Sequence, residues 1–582
     1  MGRQRGADVL RLGVLLLVVV LSSAFLPSET LIHVADPATA GAAQAAHPRL
    51  CSALTRLALV SADGPAALAS FAAQAGVPMV EGLVQVMITA HAGAIAEAQR
   101  AVESLNGHVT HSVASQGWLQ GWIPADALLA LAERPAVAYV RVPERAWLEE
   151  EAMPAPTQAH ADGLSLMGAS LWHISGHQGQ GVKVGIIDQG FGGHRTLLGD
   201  ALPSQVVART FVDGEGDGHL NAGTTHGTAV AEIVHRIAPQ AELYLAKIET
   251  LPELYAAVAW LMDEGVHVIH TSPRWYALAP GDGTGPLAEL AQAAQAQGIV
   301  WVAPAGDARI VHWSGEYVDE HGDGWLDWRT GERVNWLIVD GQYNLPSDIV
   351  IDIWMRWSDW DAVDQDLNVC LVHMSQFFLV HQACSKDPQT GLAGQTPTEH
   401  LRATTSGHAR PYGIMVYRAH GDRPVHIDIF VAGVSTLQHK AHGQSLADIA
   451  DVPSVLSVSA LAAGMPLAQA VYSSEGPTKG PGGVAEGGLA KPDLAAYTGT
   501  ITASRGALEG TAAAAAHVTG AVALVRGAHP DWDPDQVHGL LHARALDLGA
   551  PGWDPIYGHG RLHLGPSPTA SPARYWIPLA GR

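Results

Sequence analysis

Apolar runs that alternate with helical patterns begin near Gly181, and they constrain the fold more than any other feature of the sequence. The predicted buried strands are Val182–Ile187, Glu242–Ile248, Val266–Thr271 and Ile299–Ala305. The predicted helices between them are His226–Ile237, Pro252–Glu264 and Pro286–Gln297. Strands that are apolar on both faces and separated by helices predict an α/β fold, a doubly wound parallel sheet with helices on both sides. Functional residues then belong at the carboxyl ends of the strands.

Three short motifs lie at element boundaries of this pattern. An apolar run ends in Asp188-Gln189-Gly190, and a predicted helix begins with His226-Gly227-Thr228. A third segment, Gly510–Gly520, reads Gly-Thr-Ala-Ala-Ala-Ala-Ala-His-Val-Thr-Gly. It resembles the nucleophile turn of subtilisin-like serine peptidases, Gly-Thr-Ser-Met-Ala-x-Pro-His-Val-x-Gly. The order Asp, His, nucleophile turn is also the order of that family.

The resemblance covers roughly residues 165–310 and 445–565 and implies a subtilisin-like domain in two parts, 160–310 and 445–565. It implies that Asp188 orients the imidazole of His226 and that His226 is the general base. The position of the nucleophilic serine is held by Ala512. A methyl group cannot attack a peptide carbonyl, so the resemblance predicts the fold of the family without its covalent chemistry.

Two further segments depart from the family pattern. Trp301–Asp307 aligns with a strand that ends in Ala-Gly-Asn, and the amide of that Asn donates to the oxyanion; here Asp307 stands in its place. An ionised carboxylate accepts hydrogen bonds and repels an oxyanion. Ser272-Pro273-Arg274 aligns with the end of Asn-x-Ser-Leu-Gly, whose backbone pairs with substrate. Pro273 has no N–H, and Arg274 adds a long side chain where the family has glycine.

These departures favour one function and leave two others open. The favoured hypothesis is a secreted pseudopeptidase that binds a polypeptide or surface partner without cutting it. The first alternative is an active serine endopeptidase with an unrecognised nucleophile. The second makes an inserted domain the functional part, as a ligand- or carbohydrate-binding module. A single Ser-to-Ala change is compatible with engineered inactivation, whereas several departures together favour natural loss of catalysis.

Residues 45–155 are predicted to form a separate α+β unit. The alternating pattern of Leu83–Ile88 predicts a strand, and Ala92–Leu105 is predicted to be a helix. Two strands, a helix and a last strand are predicted to follow up to Val142. This β-α-β-β-α-β order is ferredoxin-like and similar to the inhibitor-type propeptide of subtilases. Because Ala512 removes self-cleavage, we expect this unit to stay attached as a partner in cis.

Residues 311–444 interrupt the α/β pattern and are rich in Trp and Asp. Alternating runs such as Val350–Trp357, without a helical period, predict an inserted β-sandwich. Cys370 and Cys384 lie in this segment and are compatible either with a disulfide or with two buried thiols.

Asp319, Asp323 and Asp327 form an acidic stretch in the same segment. Calcium prefers oxygen ligands of this kind, so the stretch is a candidate calcium site. The alternative is a solvated acidic turn. No other cofactor is expected, because the mechanism that the resemblance implies requires none.

The chain ends and the charge restrict location and partners. Arg3, Arg5 and Arg11 are followed by an apolar run, Leu12–Leu26, so residues 1–44 are predicted to hold a signal peptide and leader. The alternative is an uncleaved membrane anchor. Residues 566–582 are predicted to be a C-terminal tail. The formal net charge of −23 argues against nucleic acid as a partner.

Overall fold

The computed structural model describes residues 47–148, 163–376, 378–462, 464 and 466–568. The predicted leader, 1–44, and nearly all of the predicted tail, 566–582, lie outside these residues. Among the described residues, no helix is both long enough and apolar enough to cross a bilayer.

An N-terminal unit comes first in the described chain. Its helices are α1 (Ser52–Val60), α2 (Pro65–Ala75), α3 (Ile95–Ser104) and α4 (Leu128–Ala132). Its strands are β1 (Met79–Val80), β2 (Leu83–Ala90), β3 (His108–Val113), β4 (Trp118–Pro124) and β5 (Val137–Arg141). The strands form an antiparallel sheet in the order β1-β2-β4-β3. β5 pairs with the second half of β2, on the edge opposite β4. The order β2-α3-β3-β4-α4-β5 is the one that the sequence predicts, whereas α1 and α2 were not predicted.

The first part of the α/β domain follows. Its strands are β6 (Lys183–Asp188), β7 (Val207–Thr210), β8 (Glu242–Lys247), β9 (Val268–Thr271) and β10 (Val300–Pro304). Its helices are α5 (Gly163–Leu166), α6 (Ala169–Ile174), α7 (His226–Ile237), α8 (Leu251–Asp263) and α9 (Pro286–Ala296). The three predicted helices begin and end within one residue of these bounds.

Two antiparallel sheets make up the inserted segment. The four-stranded sheet has the order β11-β19-β14-β17 and the larger sheet β16-β15-β18-β12-β20, with β13 beside β18. The strands are β11 (His312–Glu316), β12 (Asn335–Ile338), β13 (Asn344–Leu345), β14 (Val350–Trp357), β15 (Asp366–Ser375), β16 (Phe378–Ser385), β17 (Thr398–Thr404), β18 (Arg410–His420), β19 (His426–Ala432) and β20 (Thr436–Leu437). Side chains of both sheets, among them Ile353 and Leu371, share one apolar core.

A disulfide joins Cys370 and Cys384. The two cysteines are cross-strand partners on β15 and β16, and β16 is the edge strand of its sheet. Of the two interpretations that the sequence left open, the structure shows the disulfide. Cys51 of the N-terminal unit is a buried free thiol.

The second part of the α/β domain completes the central sheet. It contains β21 (Val455–Leu461), β22 (Leu494–Tyr497), β23 (Thr500–Thr502), β24 (Gly506–Leu508), α10 (Thr511–Ala528) and α11 (Pro534–Arg544). The central sheet has seven strands in the order β22-β21-β10-β9-β6-β8-β7. Every neighbouring pair is parallel. The inserted segment therefore connects two adjacent parallel strands, β10 and β21.

Helices cover both faces of this sheet, as the sequence predicts. Val184 and Ile186 of β6 pack with α7 and α10 on one face. Ile187 of β6 and Ile269 of β9 pack with α8 and α9 on the other. The carboxyl ends of β6, β9 and β10 consequently open onto the same edge of the sheet as the N-termini of α7 and α10.

Candidate active site

Asp188 and His226 form a hydrogen-bonded pair at this edge. Asp188 is the last residue of β6 and His226 the first of α7. Nδ1 of His226 lies 2.8 Å from Oδ2 of Asp188, and because a carboxylate only accepts, the imidazole N–H donates. The N–H of Gln189 donates to the other carboxylate oxygen at 2.8 Å. In the neutral imidazole this arrangement leaves Nε2 as the acceptor that a general base needs.

Gly227 allows α7 to begin this close to β6. A Cβ at position 227 would lie 2.7 Å from Cβ of Asp188 and 2.6 Å from the carbonyl oxygen of Gly190. Any side chain here would push the helix away from the strand and separate the pair. The His-Gly sequence at the start of α7 is thus required by packing.

Ala512 lies in the first turn of α10, directly after Thr511. Gly510 precedes the helix with a φ of 96°, a conformation that favours glycine. Every residue from Thr511 to Arg526 is buried, so the helix runs into the core behind this turn. The hydroxyl of Thr511 accepts from the N–H of Gly306 at 3.3 Å and from Nη1 of Arg274 at 3.2 Å. The turn therefore presents a methyl group at position 512 and an engaged hydroxyl beside it.

A buried ion pair lies next to this turn. Nη1 of Arg274 donates to Oδ2 of Asp307, and both side chains are 2% exposed. The other oxygen of Asp307 accepts the N–H of Thr511 at 3.0 Å. The carboxylate thereby occupies the N-terminus of α10, which favours an anion. The sequence flagged Arg274 and Asp307 as separate departures, and the structure joins them.

Ser272, Pro273 and Arg274 continue from the end of β9. Ser272 is fully buried, and its N–H donates to the carbonyl of Ile187 at 3.1 Å. Pro273 has no N–H to donate, whereas the backbone of Arg274 retains both of its groups for pairing. The N–H of Arg274 donates to the carbonyl of Trp147 at 3.0 Å, and its carbonyl accepts the N–H of Trp147 at 2.8 Å.

The segment Pro143–Leu148, here called the arm, therefore crosses the site as an extended strand. It bridges antiparallel to Thr250, after β8, and to Arg274, after β9. The N–H of Ala146 donates to the carbonyl of Glu249 at 2.8 Å. The side-chain amide of Gln189 donates to the carbonyl of Ala146 at 2.6 Å. Sequence reasoning missed these contacts; its only signal was the position of the arm directly after the last strand of the N-terminal unit.

With the arm in place, the four candidate residues have little contact with solvent. Asp188 is 0% exposed, Asp307 and Ala512 are 3% exposed, and His226 is 5% exposed. A polypeptide that pairs with the backbone of Arg274 would have to displace the arm, because both main-chain groups of Arg274 are bonded to Trp147.

His270 is a buried neighbour of the pair that the sequence did not single out. Burial lowers its pKa to about 3, against an opposing effect of Asp188. Its two ring nitrogens lie 2.9 Å from Oγ1 of Thr519 and 3.0 Å from Oγ of Ser272. His270 thus stays neutral and links β9 to α10.

The three acidic residues proposed for calcium are bonded within the protein. Asp319 accepts backbone N–H groups of residues 322–324, and Asp323 pairs with Arg333 at 2.6 Å. Asp327 accepts from the N–H of Glu320 at 2.8 Å. In the described part of the chain, a cluster of three potential ligand groups within 4.8 Å of one another is instead formed by His111, Asp213 and Glu253. Cys370 and Cys384 lie equally close to His381, but their sulfurs are joined in the disulfide. Calcium at the three aspartates stays a prediction.

Comparisons with known proteins show the family of the chain. Residues 179–560 match the subtilase family. Subtilisin DY of Bacillus licheniformis is 31% identical over 161 residues, which cover 25% of this chain and 54% of that protein. Alkaline elastase YaB of Bacillus sp. (strain YaB) is 26% identical over 186 residues, covering 31% and 46%. The chain thus spans about half the length of the curated relatives it matches.

A solved structure, the CspB protease of Clostridium perfringens, aligns with this chain at 18% identity and a TM-score of 0.49. The alignment covers 69% of this chain and 97% of that protein.

Proposed function

We propose that this chain, which belongs to the subtilase family, is an exported polypeptide-binding protein that has lost peptidase chemistry. The observation that carries the proposal is the buried ion pair of Arg274 and Asp307 at the N-terminus of α10, beside the methyl group of Ala512. Acyl transfer needs an attacking atom and donors for the oxyanion. At this site, an alanine and a carboxylate stand at those two positions.

The remaining groups support proton abstraction but not nucleophilic attack. Asp188 holds the imidazole of His226 so that Nε2 can accept a proton, but no hydroxyl is present at position 512 to give one. In a subtilisin, loss of the serine alone lowers turnover by a factor on the order of 10⁶. Loss of one oxyanion donor lowers it by a further factor of about 10² to 10³. The two losses together favour binding over catalysis.

Relocation of the nucleophile to another hydroxyl finds little support. Ser272, Ser473 and Ser474 are each 0% exposed. The hydroxyl of Ser473 accepts the N–H of Ala460 at 2.9 Å, and that of Ser474 accepts the N–H of Ala308 at 3.0 Å. An active endopeptidase would need one of these serines to become both exposed and activated.

The backbone contacts of the arm favour an extended polypeptide as the ligand. Glu249 and Arg274 offer main-chain groups that pair with a strand, and such groups recognise any sequence. We propose that the N-terminal unit stays covalently attached and that its arm fills the groove until a partner displaces it.

A hydrolysis assay on casein and on a peptide library, with fluorophosphonate labelling in parallel, tests the proposal. The wild type is expected to cut nothing and to remain unlabelled. Ala512→Ser alone is also expected to stay inert, because Asp307 still places a carboxylate at the oxyanion position. Ala512→Ser with Asp307→Asn and Arg274→Gly restores three of the four departing positions and leaves Pro273, so activity is expected to appear in that variant first.

One control variant and one outcome of the assay decide between the alternatives. His226→Ala in the triple background should abolish any activity gained, which would show that the reaction uses the proposed base. Hydrolysis or labelling by the purified wild type, free of contaminating protease, would refute the proposal and favour the active-endopeptidase alternative.

A further inference from the structure

Trp147 of the arm packs its indole ring against the inserted domain. The ring centroids of Trp147 and Trp354 are 5.7 Å apart at an interplanar angle of 67°, an edge-to-face contact. Trp354 lies on β14, and the ring centroid of Tyr276, which follows β9 in the chain, is 5.9 Å from that of Trp354. Trp147 is half-buried and belongs to the apolar contacts of the insert's core. The insert therefore touches the same residue whose backbone pairs with Arg274.

The insert holds this aromatic surface in a fixed arrangement. His400 stacks on Trp354 with centroids 5.2 Å apart and an interplanar angle of 3°, as its cross-strand partner on β17. Asp352, 1% exposed at its side chain, accepts from Nε2 of His400 at 3.1 Å and from Nη1 of Arg402 at 2.7 Å. Trp354 is thus supported by a stacked ring that is itself hydrogen-bonded.

A cavity of about 900 Å³ adjoins this surface. It lies between the N-terminal unit, the arm and the insert, and its lining includes Trp147, Trp354, His400 and Arg402. The contact between Trp147 and the insert consequently borders open space, into which a ligand longer than the arm could extend.

We infer that the inserted domain supplies a binding subsite for an aromatic side chain carried by an extended polypeptide, and that Trp147 occupies this subsite in cis. The inference rests on the proposed polypeptide-binding function and names its ligand class. Main-chain pairing with Glu249 and Arg274 selects an extended strand, and the Trp354 surface selects which side chain that strand carries. The ligand class is a polypeptide with tryptophan at the position of Trp147, or with phenylalanine there at lower affinity.

Hydrogen exchange in the full-length protein tests the contact. The amides of Ala146 and Trp147 are bonded across the groove, so their exchange rates report how often the arm opens. Trp147→Ala is expected to raise those rates about tenfold, Trp354→Ala by a similar factor, and the two together by less than the product. Trp147→Phe should restore most of the protection. Phe378→Ala, at a 57% exposed aromatic on β16 of the same insert, is the matched control and should change nothing.

Binding of a free indole then tests the subsite as such. N-acetyltryptophanamide is added to Trp147→Ala and followed by saturation-transfer NMR, with N-acetylalaninamide as the comparison. Saturation transfer is expected in Trp147→Ala, and its loss in the double variant with Trp354→Ala. No transfer in Trp147→Ala, or transfer that Trp354→Ala leaves unchanged, would overturn the inference. Neither result depends on hydrolysis, so failure of the proposed function would be recognised separately in the protease assay.

Discussion

At the scale of single residues, the two departures around the candidate oxyanion position depend on each other. A carboxylate at 307 without Arg274 would be a buried, uncompensated charge, and the reverse holds for Arg274 without Asp307. The pair also engages Thr511, through its backbone N–H and its hydroxyl. A variant that restores the family residue at one of the two positions therefore has to change the other as well.

This coupling gives a stability prediction. Asp307→Asn should lower the free energy of unfolding by about 3–5 kcal/mol, because it leaves the guanidinium of Arg274 buried without its partner charge. Arg274→Met combined with Asp307→Asn should cost less than either change alone, since an uncharged pair removes the desolvation penalty. Urea denaturation of the four proteins measures the cycle.

The control for this cycle is an exposed pair of the same chemistry. Arg145 and Glu249 are 42% and 32% exposed at their side chains, so Arg145→Ala should cost less than about 1 kcal/mol. Equal stability of Asp307→Asn and the wild type would contradict the coupling.

The sequence predicted the residues of this site better than their contacts. The pairing of Asp188 and His226 could be predicted, because each residue belongs to a local motif and the order of the motifs implies a shared edge of the sheet. The pairing of Arg274 with Asp307 could not be predicted, because it depends on where the chain after β9 and the chain after β10 approach each other. Only the three-dimensional placement brings those side chains together.

At the scale of elements, α10 and α7 cross closely behind the site. A Cβ added at Gly520 of α10 would lie 2.6 Å from Cβ of Ile237, a residue of α7. The run of alanines that precedes Gly520 is buried throughout, as a helix pressed against a sheet and a second helix requires. Small side chains on α10 therefore set the distance between the first turn, with Ala512, and His226.

Gly520→Ala should destabilise the protein, although alanine favours helices over glycine by about 1 kcal/mol. The new methyl group meets backbone-proximal atoms of Ile237 that cannot move aside, and overpacking of this kind costs about 1–3 kcal/mol. The matched control is Gly539→Ala in α11, where a Cβ would meet no atom within 4 Å. That change should stabilise by about 0.5–1 kcal/mol. Thermal unfolding of both variants measures the contrast, and a stabilised Gly520→Ala would rule out the close crossing.

Two of the elements that were not predicted from the sequence have a weak apolar pattern. β7 is an edge strand of four residues, Val207–Thr210, in which buried and exposed positions mix. α2 consists largely of alanine, which marks neither the buried nor the exposed face of a helix. The strong predictions, by contrast, fell on strands and helices buried in the centre of the sheet, where almost every position must be apolar.

At the scale of the whole molecule, the N-terminal unit is held from two sides by acidic residues. On the α/β domain, Asp213 accepts from the side chains of Gln85, Thr110 and Gln120 and contacts His111 at 3.1 Å. On the insert, Asp387 accepts the N–H of Ser52, at the start of α1, at 2.7 Å. The insert thus contributes to holding the unit whose arm fills the groove.

The carboxylates on the insert side have raised pKa values. Burial raises the pKa of Asp387, and burial together with the charge of Asp387 raises the pKa of Glu399 well above its ordinary value. Burial also raises the pKa of Asp366 to about 6. The N–H of Asp387 donates to Glu399 at 2.8 Å, and Asp387 itself contacts the N-terminal unit through Ser52. On the other side, Asp213 raises the pKa of His111 against the effect of burial.

Docking of the N-terminal unit should therefore weaken as pH rises from 5 to 8. A carboxyl group whose pKa is raised by docking favours the docked state below its free value of about 4, and this contribution is lost as pH rises through the docked pKa. A histidine with a raised pKa changes docking in the same direction, because its stabilising charge is lost as pH rises.

The test cleaves the chain at a protease site engineered within residues 149–162 and follows release of the N-terminal unit by size-exclusion chromatography. Release should be faster at pH 8, and Glu399→Gln should reduce the difference while Glu97→Gln, at a half-exposed side chain of α3, leaves it unchanged. Release that is equally fast at both pH values, or faster at pH 5, would show that these groups do not control docking.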